Sequence, residues 1–199
     1  MTVGRPVTYQ IAGALLIALT LMVEPAGAQE QHRHFTLRGN VELGGSLSFL
    51  ASQPVVNDQN KKTIYTVSVI PFVGYFVIDG LELGLNPAAL TVNTNGDLTT
   101  TQLRVLFAPS YNFRTPSVAT PFVEGLAGIT LVNINASEAS STLKGFTWGG
   151  RAGIKVALVE RGLLNIGVQY LRVTTNPEGA TTRSGANEFA VNVGWTVWL

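Results

Sequence analysis

Large apolar side chains fall on every second position over long stretches of this chain. The cleanest case is the C-terminal stretch, where Phe189, Val191, Val193, Trp195, Val197 and Leu199 alternate with Ala190, Asn192, Gly194, Thr196 and Trp198. A period of two predicts an extended strand with one apolar face and one small or polar face. The same alternation marks seven further segments, at 35–49, 65–77, 81–92, 100–113, 121–131, 146–158 and 163–173. Asp79-Gly80 between the second and third reads as a tight hairpin turn, because Gly tolerates positive φ and Asp favours turns. Pro71 and Pro109 lie inside strand patterns, where they cannot donate a ladder hydrogen bond, so bulges or strand stagger are expected there. In the third segment the pattern after Pro87 is ambiguous.

The connections differ in length. Those at 78–80, 114–120 and 159–162 are short, whereas those at 51–62, 93–98, 132–142 and 174–186 are longer and rich in Asn, Ser, Thr and Gly. Short turns at one end and long loops at the other predict an all-β fold, an eight-stranded antiparallel up-and-down transmembrane β-barrel. An even strand number puts both termini at the short-turn, periplasmic end. A chain that stops on an alternating strand is expected to end on the closing strand of such a barrel.

Alternation alone does not say which face is outside, since a soluble eight-stranded barrel has its apolar residues within. Charge settles the expectation. The polar faces carry Arg38, Glu42, Glu82, Arg104, Glu124, Arg151, Lys155 and Glu188, balanced in sign and set among Gly, Ser, Thr, Asn and Gln. A soluble exterior carries many more charges. A narrow lumen needs small side chains and paired ions. These eight are therefore expected to form a structural salt-bridge network inside, Glu42 with Arg38, and Glu82 or Glu124 with Arg104 or Arg151. The apolar faces end in aromatics, Phe35, Tyr75, Tyr111, Phe113 and Trp195 toward the termini and Phe49, Trp148 and Tyr170 toward the loops. Two aromatic girdles around an aliphatic band mark the two lipid interfaces. Arg172 has lipid-facing parity and is expected at headgroup level.

Composition agrees. Only 13% of residues are charged against 46% hydrophobic, whereas soluble domains carry about 25% charged residues. Residues 1–28 have the form of a signal peptide: Arg5, an apolar run from Ile11 to Val23, then Ala26-Gly27-Ala28 before Gln29. That run is shorter than the roughly 20 residues a spanning helix needs. Residues 29–34 are expected to form a short periplasmic arm and 35–199 the barrel. There is no cysteine, and a closed barrel needs no disulfide to hold it. A net charge of +1 argues against nucleic acid as a partner.

The segment Pro71-Phe72-Val73-Gly74-Tyr75-Phe76-Val77, followed by Leu81-Glu82-Leu83-Gly84-Leu85, resembles the small bacterial outer-membrane β-barrel proteins with OmpX- and OmpA-like barrels. Phe107-Ala108-Pro109-Ser110-Tyr111 and Pro121-Phe122-Val123-Glu124-Gly125 look like the family's next hairpin. The resemblance covers roughly 35–199. It implies outer-membrane lipids and lipopolysaccharide as surroundings, insertion by the barrel-assembly machinery, and roles from envelope integrity to adhesion. One departure is the final residue, usually Phe or Trp in the family and here Leu199, with Trp198 one place early on the inward parity.

Catalysis in a barrel needs a nucleophile, a base and an orienting group within reach. The two histidines, His32 and His34, precede the first strand and have no Ser-containing motif around them. Two ligands are too few for a structural metal site. No catalytic residue, cofactor or metal is therefore expected. The reading is a monomeric, non-catalytic Gram-negative outer-membrane barrel with a structural or surface-interaction role in the cell envelope. The alternatives are a narrow porin-like channel, with Gly44, Gly84, Gly128, Gly153, Gly167 and Gly194 leaving gaps in the lumen, and a lipid-modifying barrel enzyme.

Overall fold

The computed structural model describes residues 35–95, 98–136, 139–175, 182 and 184–199. The signal peptide and periplasmic arm expected at 1–34, with both histidines, lie outside the described residues. Eight long strands make the fold: β1 (Val41–Val56), β3 (Ile64–Ile78), β4 (Leu81–Asn95), β5 (Leu98–Asn112), β6 (Ala119–Ala136), β7 (Ala139–Val159), β8 (Gly162–Thr174) and β9 (Gly185–Trp198). A two-residue strand, β2 (Gln59–Asn60), folds back on the loop end of β1. Each long strand pairs antiparallel with the next, and β9 returns to β1 from Glu42↔Trp198 to Val55↔Gly185. The sheet is thus a closed up-and-down barrel, as the alternation predicts.

Period two puts alternate side chains on opposite sides of this wall. The outer side carries Leu47, Val69, Leu85, Leu103, Ile129, Val168, Val191 and Val193, all exposed. The inner side holds Glu42, Glu82 and Glu188, each at most 1% exposed. Apolar outside and ionic inside is the reverse of a soluble protein, and it suits a wall immersed in hydrocarbon.

The strand ends depart from the sequence reading for identifiable reasons. At the first strand, Gly39 has φ +95° and breaks the extended run, so β1 begins at Val41. The turn before it folds across the barrel mouth, tied by Gly39 N–H to the Phe76 carbonyl, Gly80 N–H to the Thr36 carbonyl and Arg38 N–H to Asp79 Oδ1 at 2.8, 2.8 and 2.9 Å. Phe35 is thereby driven inward, 2% exposed, edge-on to Phe76 at 6.2 Å. It belongs to an inner plug with Leu163, Ala157 and Trp198, and not to the aromatic girdle.

At the loop end the strands run further than the alternation. β1 continues to a hairpin turn at Asn57 and Asp58, both at positive φ, a conformation that Asn and Asp tolerate. β6 and β7 pair without a break up to Ala136↔Ala139. In β4, a register shift between Asn86 and Ala89 leaves Pro87 and Ala88 outside the ladder to β5. This bulge moves the inward positions from Asn86 to Ala89 and Thr91, which is why the pattern after Pro87 is ambiguous in the sequence. Pro71 lies opposite this irregularity, where β3 and β4 have no pairs between Val69 and Val73.

The wall's orientation generates a direct prediction. Val193 lies in the aliphatic band of β9, paired with Leu47 and Ile166. Val193→Arg should lower the unfolding free energy in lipid vesicles by about 2–4 kcal/mol, the cost of a cation at the bilayer midplane. Urea titration of the folded barrel measures it, and a near-neutral effect would mean that this wall does not face lipid.

Candidate functional site

The lumen is filled in layers, which follow one another along the strands from the termini end. The first is the plug of Phe35, Phe76, Leu163 and Trp198. Next comes Lys155 of β7, whose Nζ donates to Glu42 Oε2 at 2.6 Å and to Glu82 Oε2 at 2.9 Å. Three aromatic rings surround the same ammonium, with Phe72, Phe76 and Phe122 centroids at 5.7, 5.8 and 5.6 Å. At this range each ring face attracts a cation. Two carboxylates thus share one ammonium, and neutral donors add to its hold on them. Thr196 Oγ1 donates to Glu42 at 2.6 Å, and Ser110 Oγ and Asn112 Nδ2 donate to Glu82 at 3.0 and 3.4 Å. Gly74 makes the space for this arrangement, because a Cβ there would lie 1.9 Å from Glu82 Oε1.

Further along, Arg151 of β7 donates to Glu124 of β6 at 2.8 Å across directly paired positions. An apolar layer of Leu106, Leu126 and Leu171, with Phe72 against it, comes next. Arg104 then donates to Glu188 Oε1 at 2.6 Å across the barrel, and its guanidinium also bonds Gln102 Oε1. Beside Glu124 and Arg151, a pocket of about 30 Å³ lined also by Asn165 and Asn192 has room for a water molecule.

The partners differ from the expected ones. Arg38 is exposed in the turn before β1 and does not enter the lumen. Glu42 pairs with Lys155 instead. Without Arg38, the described lumen holds Glu42, Glu82, Glu124 and Glu188 against Arg104, Arg151 and Lys155, one carboxylate more than it has cations. The aromatic cage around Lys155 was visible only as parity: Phe72, Phe76 and Phe122 each sit one position off the outward series. The outward aromatics Phe49, Tyr75, Tyr111, Phe113, Trp148, Tyr170 and Trp195 are all exposed on the wall, joined by Phe146 and Phe189. Arg172 is exposed beside Trp148, its partner in the β7–β8 ladder.

Above the Arg104–Glu188 pair the packing stops. A chamber of about 680 Å³ opens there, lined by Leu50, Val55, Val132, Ile134, Leu143 and Val173 with a minority of hydroxyls and Gln102. Among the described residues no charged side chain lines it. Among the described residues no group of three or more His, Cys, Asp or Glu is placed to hold a metal ion.

The shared ammonium gives the second prediction. Lys155→Met leaves Glu42 and Glu82 buried without a counter-ion and should destabilise the barrel by about 3–5 kcal/mol. Adding Glu42→Gln and Glu82→Gln to that variant should restore most of the loss in chemical unfolding experiments. Gly74→Ala should also destabilise, by displacing Glu82 from Lys155.

No protein-family model and no curated protein matches the chain. Solved structures do. Neisserial surface protein A (NspA) superposes with a TM-score of 0.66 at 13% identity, over 80% of this chain and 99% of that one. Ail, the attachment invasion locus protein of Yersinia pestis, gives a TM-score of 0.53 at 8% identity, over 82% of this chain and 100% of that one. Identities this low speak for the architecture alone. With strand order, closure and an inverted wall already in hand, they show that the chain has the fold of the small eight-stranded outer-membrane β-barrels.

Proposed function

We propose that this protein is a non-catalytic integral barrel of the bacterial outer membrane, with a structural or surface-interaction role in the cell envelope. The observation that carries the reading is the inverted wall: exposed Leu, Val, Ile and aromatic side chains outside, and buried ion pairs within. A signal peptide at 1–28 would deliver it across the inner membrane, and the barrel-assembly machinery would insert it among phospholipid and lipopolysaccharide. The termini end then faces the periplasm and the loop end faces outward.

The filled lumen supports a sealed barrel over a channel. An eight-stranded barrel is just wide enough for its own side chains. The inward glycines do not leave gaps, because neighbouring atoms occupy the space. A Cβ on Gly128, Gly153 or Gly194 would meet the Val105, Ile166 or Gly45 carbonyl oxygen at 2.0, 2.1 or 2.6 Å. Phe72 covers Gly84 in the same way, with its ring carbon 2.6 Å from the site of a Cβ. Against catalysis, Ser110 is committed as a donor to Glu82 inside the sealed part of the lumen.

Two measurements test this reading. Membrane fractionation should recover the protein in the outer membrane, with gel mobility that changes on boiling. In planar bilayers it should give no discrete conductance steps, and reproducible steps would overturn the sealed lumen.

A further inference from the structure

The β3–β4 seam differs from every other seam of the barrel. Toward the loop end its last two pairs are Val69↔Leu90 and Ser68↔Thr91. Both strands then run on without pairing to each other. Ile64 to Val67 pair only with β1, from Ser52↔Ile64 to Phe49↔Val67. Val92 to Asn95 pair only with β5, from Val92↔Thr101 to Asn95↔Leu98. A side-chain bond spans the split, Thr66 Oγ1 to the Val92 carbonyl at 3.3 Å. Below these two pairs the seam is interrupted again, at Pro71 and at the bulge of Pro87 and Ala88. Two ladder pairs, with a hydroxyl contact between Ser68 and Thr91, thus hold the loop-end half of this seam.

Unpaired backbone groups in a lipid-facing wall are costly, so irregular backbone is found only where it is buried in protein or lines a water-holding cavity. This split borders a cavity. Ile64, Tyr65 and Thr66 on one side and Thr91 on the other line the 680 Å³ chamber. On the outer surface the split is flanked by exposed Val67, Val69, Leu90 and Val92. Its outer border is therefore apolar, and on its inner side the described lining of the chamber is mostly apolar and uncharged. The chamber's size is within the range of small-molecule sites, about 300–1,000 Å³. At its floor Gln102 lends its carbonyl oxygen to Arg104, which leaves the carboxamide NH₂ as its remaining donor.

We propose that the chamber binds the alkyl chain of a single-chain amphiphile of the fatty-acid type, which enters sideways from the membrane through the β3–β4 split. The interior below stays sealed by the Arg104–Glu188 pair and the leucine layer, so the ligand is held and not passed through. This inference rests on the membrane reading above, because its portal opens into lipid.

The test uses the full barrel in phosphatidylcholine nanodiscs with methyl-labelled Leu, Ile and Val. Stearate spin-labelled near its methyl end should broaden the inner methyls of Leu50, Val132 and Val173 saturably. Phosphatidylcholine labelled at the same depth should leave them sharp. Both probes should broaden the outward Val193 and Ile129. The chain has no cysteine, so Val67→Cys with Val92→Cys introduces the sole possible cross-link. Oxidising that pair should abolish the inner broadening, and reduction should restore it. Ala186→Trp, which fills the chamber, should abolish it without any cross-link. Inner methyls that ignore stearate overturn the proposal, as do inner methyls that respond equally to labelled phospholipid. An effect that survives the cross-link overturns the sideways route. Outward methyls silent to both probes would mean that the membrane reading itself had failed, a separate result.

Discussion

Backbone polarity governs this structure. Within hydrocarbon each N–H and C=O needs a partner on the protein, and a sheet meets that demand only by closing on itself. Closure over eight strands fixes a narrow lumen. Period two then sends every second residue into that lumen and leaves the others against lipid. The inward residues have little choice: they are small, or they interlock, or they are ions that pair. Lys155 shows the outcome most plainly, held by two carboxylates and three aromatic rings.

The layering divides the barrel into two functional halves. From Phe35 to the Arg104–Glu188 pair the interior is packed by alternating apolar and ionic layers, in which each carboxylate lies against a cation that offsets its loss of water. Beyond that pair the strands continue but the filling does not, and the chamber takes its place. The unpaired ends of β3 and β4 lie beside that chamber, whereas the interruption at Pro71 and the Pro87 bulge lies level with the leucine layer and Arg104.

Much of this was legible in the sequence, within physical limits. The aliphatic band is legible because lipid demands apolar residues on one face, and β9 is the clearest example. The loop-end parts of β1, β6 and β7 were hidden because their residues do not keep the period. There, ladder pairing continues through Asn, Ser and Thr without any alternation to reveal it. The same alternation misled at 35–39, where Phe35 and Leu37 keep the period but Gly39 turns the chain across the barrel mouth. The ions were visible but their partners were not. Lys155 meets Glu42 from a distant strand and Arg104 meets Glu188 across the lumen, and such contacts depend on barrel tilt and stagger that no local pattern encodes.

The central claim is that the apolar wall lies against acyl chains while the ions are shut inside. Fluorescence quenching of single-tryptophan variants in lipid vesicles tests it most directly, because Trp148 and Trp195 point outward whereas Trp198 packs against the inner plug. Brominated acyl chains should quench Trp148 and Trp195 strongly and Trp198 weakly, with aqueous iodide having little effect on Trp195. Strong iodide quenching of Trp195 with no response to brominated chains would contradict the account.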